Sequence, residues 1–176
     1  MLKSGQKKYQ KLKQAFQRQY KYKYDSMENT FDCKQEYILE NERVLLRPLK
    51  KEDYIFLLPF ALNEPDLWHF SLVSAAGEKG LEHYIQLALD GRNTEKEYAF
   101  IVYDKVKQAY AGSTRFYDIN VPFQTLQLGY TWYGSHFQGT GLNKQCKFLL
   151  LSFAFEQLGM ERVEFRADNE NARSIA

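Results

Sequence analysis

A short turn with two glycines, residues 138–143, has the residue types and spacing that best suit a chemical role. It follows residues 126–133, where Leu, Tyr, Thr and Trp favour an extended strand. From Leu142 to Leu158 apolar residues recur at steps of three and four, which predicts one face of a helix. A helix that begins after glycines exposes unpaired backbone N–H groups and the positive end of its dipole. The turn is therefore predicted to bind a pyrophosphate group.

Two common phosphate-binding motifs do not fit this turn. A Walker loop needs Lys and then Ser or Thr directly after its second glycine, whereas Leu142 and Asn143 follow Gly141. The dinucleotide motif G-x-G-x-x-G needs a glycine at position 144, where the chain has Lys144. If the turn binds phosphate, it therefore belongs to another class of phosphate-binding loop.

The sequence Gln138-Gly139-Thr140-Gly141-Leu142-Asn143 resembles the acetyl-coenzyme A signature Q/R-x-x-G-x-G/A of the GNAT acetyltransferase superfamily. Asn143 departs from the pattern, which has Gly or Ala in that place. The segments that follow are similar too, because residues 162–167 alternate like a strand and Asn171 and Ser174 match an N-x-x-S segment. The resemblance extends from about residue 42 to the last residue, and it points to the branch of the ribosomal-protein N-terminal acetyltransferases.

The resemblance implies an enzyme that transfers acetyl from acetyl-coenzyme A, its co-substrate, to a primary amine by direct attack in a ternary complex. The amine would be a protein N-terminus or a small amine. In the family the strand before the turn separates from its neighbour, and its backbone binds the pantetheine arm. The residues implied in cofactor binding are Thr131, Trp132, Tyr133, Gln138, Gly139, Thr140, Gly141, Leu142, Asn143, Asn171 and Ser174. Ser174 is also the implied catalytic residue.

The sequence does not identify a general base with the same clarity. An ammonium group must lose a proton before it attacks, so a carboxylate or a relayed water is expected near the reacting carbon. Many family members carry a Glu on the strand before the turn, but this chain has Gln127, and an amide is not a base. Asp118 and Glu164 are candidate substitutes, and His136 beside the turn is more typical of an exposed loop residue. A non-catalytic acyl-coenzyme A-binding protein is therefore an alternative.

The remaining patterns predict an α+β fold in which helices flank a mixed central sheet, as in the GNAT-like acyl-coenzyme A N-acyltransferase fold. The predicted elements are a strand at 43–49, helices at 50–62 and 82–89, and a hairpin of strands at 98–103 and 111–119. The loop 63–80 carries Trp68, His69 and Phe70, which either line the amine pocket or, more commonly, pack beneath the loop. The last strands of the family are missing, so we expect a C-terminally truncated domain whose exposed sheet edge favours a homodimer.

Length and cysteine content limit the function classes further. A chain of 176 residues suits one domain with a sizeable core. Cys33 and Cys146 lie far apart, so we expect neither a disulfide nor a metal site. No apolar run reaches the roughly 18 residues that cross a bilayer, and the N-terminus lacks the apolar core of a secretion signal. These features favour a cytoplasmic protein.

The N-terminal part of the chain is strongly basic. Eight Lys or Arg residues and no acidic residue precede Asp25. We expect residues 1–35 to be a mobile or non-native extension, with Met27 as an alternative start, and residues 36–176 to be the N-acetyltransferase domain. The competing interpretation is an amphipathic basic helix that binds nucleic acid or an anionic membrane surface.

Overall fold

A computed structural model describes residues 31–171 and Ser174 of the chain. The strongly basic segment, with the basic helix predicted there, lies outside the described residues. Residues 31–35, which the sequence patterns assign to the extension, belong to the folded unit. Cys33 is only 2% exposed, and Arg92 donates a hydrogen bond from Nε to the Cys33 carbonyl at 2.6 Å. A single small residue in a polar segment has no periodic pattern that would reveal this packing.

The centre of the fold is a mixed sheet whose strands lie side by side in chain order. Neighbouring strands are antiparallel except the last two, which are parallel and joined through a helix. The strands that the structure describes are β1 (Leu39–Glu40), β2 (Val44–Pro48), β3 (Tyr98–Asp104), β4 (Ala109–Asn120), β5 (Thr125–Tyr133) and β6 (Arg162–Glu164).

Helices cover both faces of the sheet. The longer helices are α1 (Tyr54–Asn63), α2 (Gly77–Asn93) and α3 (Leu142–Ser152), and short 3-10 turns lie at Lys51–Asp53, Pro65–Trp68, Val121–Phe123 and Ser135–Phe137. Successive residues of β3 show the two faces, because Phe100 packs in the core beneath α3 and Ile101 packs in the core beneath α1 and α2. The predicted α+β class, with a mixed sheet flanked by helices, is confirmed. None of the described helices is long and apolar enough to span a membrane.

Three predicted elements have different bounds in the structure. The helix predicted at 82–89 runs over Gly77–Asn93, because its ends carry mostly polar residues that leave no apolar period. The helix after the glycine turn changes at Phe153 into a π-helical turn, Phe153–Gln157. The strand predicted at 162–167 ends at Glu164, and Phe165 beyond it is exposed rather than packed.

Candidate active site

The glycine turn links β5 to α3 and leaves open space beside its backbone. After the 3-10 turn at Ser135–Phe137, Gly139 and Gly141 adopt φ angles of +69° and +82°. Glycine takes this left-handed conformation without the strain that a Cβ atom brings, so the backbone path explains both glycines. A Cβ atom at either position would meet no atom within 4 Å. The space above the turn is therefore accessible to a ligand.

The backbone N–H groups of the turn find no acceptor inside the described part of the chain. Those of residues 139–143 donate no hydrogen bond there, and α3 begins at Leu142. Gly139, Thr140 and Gly141 are also exposed. Unpaired N–H groups at the positive end of a helix dipole form a site for an anion such as a diphosphate.

Side chains on both sides of the turn hold its shape. Gln138 donates from Nε2 to the Tyr133 carbonyl at 2.8 Å, and the Thr140 hydroxyl donates to the Phe137 carbonyl at 2.7 Å. The Tyr133 hydroxyl makes a longer contact with Asn143 Oδ1 at 3.4 Å. Asn143, the residue that departs from the family signature, therefore contacts β5 through its side chain and leaves its backbone N–H available.

Two residues that the sequence patterns do not indicate support the start of the turn. Glu64, at the end of α1, accepts a hydrogen bond from the Ser135 N–H at 2.7 Å. The Phe60 ring occupies the place of a side chain at Gly134, since a Cβ there would lie 2.3 Å from the ring. Both contacts join residues about 70 positions apart, so no local pattern reveals them.

An open groove of about 500 Å³ lies beside the turn, between the β1–β2 connection and the start of α3. Arg43 brings a positive charge to this groove, and its guanidinium also pairs with Asp104 at 3.0 Å. Near the start of the turn, Lys107 donates from Nζ to the His136 carbonyl at 2.5 Å, while the His136 side chain is exposed. Cationic groups thus lie close to the anion site. The groove is lined by Asn41, Glu42, Arg43, Thr140, Gly141 and Gln145.

The edge of β5 that faces β6 is open along its second half. β6 pairs with β5 only as far as Gln127, which lies opposite Glu164. From Leu128 to Tyr133 this edge has no partner strand within residues 31–171. The Trp132 and Tyr133 side chains are buried on opposite faces, and burial raises the pKa of the Tyr133 hydroxyl well above its usual value. The backbone is therefore what this edge offers to a ligand.

A polar and aromatic cluster lies on the α1–α2 face, where β5 separates from β6. Gln127 donates from Nε2 to Asp118 Oδ2 at 2.9 Å. Arg115 is 2% exposed, pairs with Glu97 at 2.5 Å, and places its guanidinium over two tyrosine rings at 4.4 and 5.0 Å. The sequence indicates Gln127 and Asp118 separately but not their contact, and it gives no signal for Arg115.

The loop aromatics divide into one buried residue and two exposed ones. Trp68 packs edge to face against Trp132, with the ring centroids 5.2 Å apart. His69 and Phe70 are exposed and contact each other, with the ring centroids 4.6 Å apart. Trp68 therefore packs beneath the loop, whereas His69 and Phe70 lie at its surface.

Asn171 and Ser174, the two defined residues of the N-x-x-S segment, contact each other. Asn171 Oδ1 accepts a hydrogen bond from the Ser174 N–H at 3.2 Å, which is the geometry of a helix N-cap. Neither residue hydrogen-bonds to the glycine turn in the described structure. The implied roles of Asn171 and Ser174 in cofactor binding, and of Ser174 in catalysis, stay predictions.

A comparison with known families decides which kind of phosphate-binding fold this is. The family described as "Acetyltransferase (GNAT) domain" matches residues 43–176. The chain belongs to the GNAT acetyltransferase family. The resemblance seen in residues 138–143 is thereby confirmed, and acetyl-coenzyme A is the co-substrate that GNAT acetyltransferases use. A search among curated proteins gives no match.

Solved structures of GNAT proteins have the same architecture. A T. thermophilus protein assigned as an acetyltransferase is 27% identical, with a TM-score of 0.69 over 78% of this chain and 70% of that one. A GCN5-related N-acetyltransferase from Brucella melitensis is 21% identical, with a TM-score of 0.71 over 80% of this chain and 64% of that one. A Vibrio cholerae protein assigned as a ribosomal-protein-serine acetyltransferase is 23% identical, with a TM-score of 0.65 over 79% and 78%. At these identities, the Brucella and Vibrio structures show only that the fold is shared. This chain thus spans less than two thirds of the Brucella protein.

Proposed function

We propose that this GNAT protein transfers acetyl from acetyl-coenzyme A to a primary amine, either a protein N-terminus or a small amine, by direct attack in a ternary complex. One observation carries the proposal: the open edge of β5 at residues 128–133 and the unpaired N–H groups of residues 139–143 lie at the two ends of one short connection. A ligand with a diphosphate at one end and an amide-containing arm at the other matches this arrangement, and acetyl-coenzyme A is such a ligand.

Each part of the cofactor has a place in this proposal. The pyrophosphate binds the N–H groups of residues 139–143 at the start of α3, where the helix dipole favours negative charge. The pantetheine arm pairs with the backbone of residues 131–133 along the open edge. An N–H group of β5 polarises the thioester carbonyl, an interaction that contributes about 3 kcal/mol in a water-excluded site. The proposed amine attacks the carbonyl carbon from the α1–α2 side.

We also place the protein in the cytoplasm, because Cys33 and Cys146 are buried free thiols rather than a disulfide. Within the described residues, no group of three or more His, Cys, Asp or Glu side chains is arranged to hold a metal ion. Homodimer formation through the sheet edge stays a prediction, which gel filtration of the full chain tests.

The experiment combines calorimetry with thiol release. We expect acetyl-coenzyme A to bind the full chain, and a panel of peptides and small amines to yield at least one acceptor that releases the thiol. Gly141→Ala should weaken acetyl-coenzyme A binding about tenfold, because the residue must leave its φ of +82° or keep the strain. Gly159→Ala is the matched control, since Gly159 has a φ of +64° and no atom within 4 Å of its Cβ position, but it lies at the far end of the helical segment.

The outcomes separate the competing functions. Binding that weakens in Gly141→Ala but not in Gly159→Ala, together with thiol release, supports the transferase. Binding without release from any amine of the panel supports the non-catalytic acyl-coenzyme A-binding protein instead. Equal loss in both variants would refute the assignment of the turn as the phosphate site.

A further inference from the structure

The Gln127 side chain is in an arrangement that packing does not explain. It is 6% exposed, and its Nε2 donates to Asp118 Oδ2 at 2.9 Å. Its Oε1 is buried and accepts no hydrogen bond from any described residue. Because buried polar atoms in folded proteins nearly always have a partner, this oxygen indicates a donor that arrives with a ligand or with water.

The backbone is irregular in the strand opposite Gln127 and further along its own strand. Asp118 has a φ of +48° and lies in a register shift of β4 between Tyr117 and Asn120. On β5, Tyr130 has a φ of +49° beside a second register shift. Extra residues of this kind redirect side chains next to active sites, and left-handed non-glycine residues cluster there. The irregular backbone directs the Asp118 carboxylate toward Gln127.

The location of the pair fits the reacting end of the cofactor, an argument that rests on the proposed function. Gln127 is the last residue of β5 that pairs with β6, so the open edge begins immediately after it. The phosphate site at residues 139–143 lies beyond the other end of that edge. A thioester arm that runs along the edge from the phosphate site therefore ends near Gln127 and Asp118.

Two tyrosines beside the pair suit a cationic acceptor. Tyr117 and Tyr130 meet edge to face with their ring centroids 5.1 Å apart, and the Tyr117 ring lies over Gly129, where a Cβ atom would come within 2.9 Å. The face of an aromatic ring attracts an ammonium group, and because Arg115 already lies over one face of Tyr130, the acceptor would meet Tyr117 or the other face of Tyr130. Burial raises the pKa of both hydroxyls, so they stay uncharged at neutral pH and do not accept the proton.

Of the three carboxylates near these rings, only Asp118 lacks an arginine partner within the described residues. Glu97 pairs with the buried Arg115 at 2.5 Å. Glu164 pairs with Arg162 at 2.9 Å and lies 3.9 Å from an Arg166 nitrogen. A carboxylate that accepts hydrogen bonds from a guanidinium has an oxygen already occupied, so it is less available to an acceptor amine. Asp118 Oδ1 accepts no hydrogen bond in the described structure and is exposed.

We propose that Asp118 is the general base of the transfer, that Gln127 Nε2 holds its carboxylate in place, and that Gln127 Oε1 contacts the substrate directly by accepting an N–H of the acceptor amine. The ammonium gives one proton to the Asp118 carboxylate, and the freed electron pair of nitrogen bonds to the thioester carbonyl carbon. The C–S bond then breaks with its electrons on sulfur. The second nitrogen proton leaves to the thiolate, and Asp118 returns its proton to solvent.

The first test compares two carboxylates on the strands that flank β5, using the full chain, acetyl-coenzyme A and a peptide with a free N-terminus. Asp118→Asn should lower kcat about 100-fold at pH 7, the scale of general-base catalysis, with acetyl-coenzyme A binding within twofold of wild type. At about pH 9.5 the deficit should shrink below about tenfold, because a peptide α-amine with a pKa of about 8 then arrives neutral. Glu164→Gln, the competing assignment, should stay within about threefold of wild type at both pH values.

The second test exchanges the two side chains. Asp118→Asn combined with Gln127→Glu keeps a hydrogen bond between the positions and moves the carboxylate across it, so kcat should recover at least about tenfold over Asp118→Asn alone. A merely structural role predicts no such recovery. The proposal is overturned if wild type turns over and Asp118→Asn keeps its rate, or if the loss falls on Glu164→Gln instead. A wild-type protein that releases no thiol with any amine overturns the proposed function as well, so the two failures are distinguishable.

Discussion

The two faces of the sheet differ in how completely their buried polar groups are hydrogen-bonded. On the α3 side, the Asp104 carboxylate is fully buried but receives hydrogen bonds from Arg43 at 3.0 Å and from the Val106 and Lys107 N–H groups at 2.9 and 3.0 Å. On the α1–α2 side, the buried Ser113 hydroxyl donates to the Phe100 carbonyl at 3.0 Å, but five other buried atoms remain without a partner in the described structure. These atoms are Trp68 Nε1, Arg115 Nε and Nη2, Gln127 Oε1 and Trp132 Nε1.

We expect the α3 side to stabilise the fold and the α1–α2 side to carry the proposed chemistry. A satisfied buried group adds stability, whereas an unsatisfied one costs about 1–3 kcal/mol and persists where function requires it. Of these atoms, Gln127 Oε1 lies at the point where β5 leaves β6, which is also where the proposed amine reacts, and Trp132 Nε1 lies further along the open edge. The α3 side provides the rigid support against which the glycine turn is held.

The largest effect on stability is expected when a buried, fully hydrogen-bonded group is replaced. Asp104→Asn should lower the free energy of unfolding by about 3 kcal/mol, because the amide presents a donor to groups that themselves donate. Urea unfolding measures the change. Glu40→Gln is the control from the same end of the sheet, since Glu40 pairs with Lys105 but is half exposed, and it should change stability by less than about 0.5 kcal/mol. Equal losses of stability in Asp104→Asn and Glu40→Gln would mean that the buried, hydrogen-bonded carboxylate stabilises the fold no more than the exposed one.

A smaller loss of stability is expected at alkaline pH, and its cause again lies on the α3 side. Burial raises the pKa of the Cys146 thiol from 9.0 to about 11, so the folded state resists ionisation while the unfolded chain ionises near pH 9. Stability is therefore complete below pH 9 and falls as pH rises toward 11. Between pH 9 and 10 Cys146 should account for about 1 kcal/mol, and Cys33, whose pKa burial also raises to about 11, adds a similar loss.

Unfolding curves at about pH 8, 9 and 10 test this effect in wild type and in Cys146→Ala. The variant has a lower overall stability, because the cavity removes packing, but its loss between pH 9 and 10 should be about 1 kcal/mol smaller. Identical pH slopes would mean that the Cys146 thiol is not shielded by the α3 core.

The α3 side and the glycine turn are the parts that sequence patterns predict well. A strand of aromatic and β-branched residues, a turn with glycines and a helix with regular apolar spacing are all local features. The observed bounds of β5 and α3, Thr125–Tyr133 and Leu142–Ser152, follow from them closely. The left-handed φ of Gly139 and Gly141 agrees with the same local pattern.

The α1–α2 side could not be predicted to the same depth, because its contacts join distant strands. The Gln127–Asp118 hydrogen bond depends on a register shift in β4, and the Arg115 pair with Glu97 depends on how β3 and β4 align. No spacing rule identifies a bulge whose extra residues are Asp118 or Tyr130. Sequence alone therefore indicated that Gln127 is not a base without showing which carboxylate it holds.

The smallest effect on stability is expected when a buried atom without a hydrogen-bond partner is removed. Whether stability rises or falls is the most direct test of the difference between the two faces of the sheet. Gln127→Met keeps the size of the side chain and deletes the buried Oε1, while Asp118, being exposed, exchanges its lost hydrogen bond for water. We expect the free energy of unfolding to rise by about 1 kcal/mol and thiol release to fall, the trade-off typical of an active-site residue. Urea unfolding and the peptide assay on one preparation measure both changes. A loss of stability above about 1 kcal/mol would mean that Oε1 already has a bound water as partner, and the two faces would then be satisfied alike.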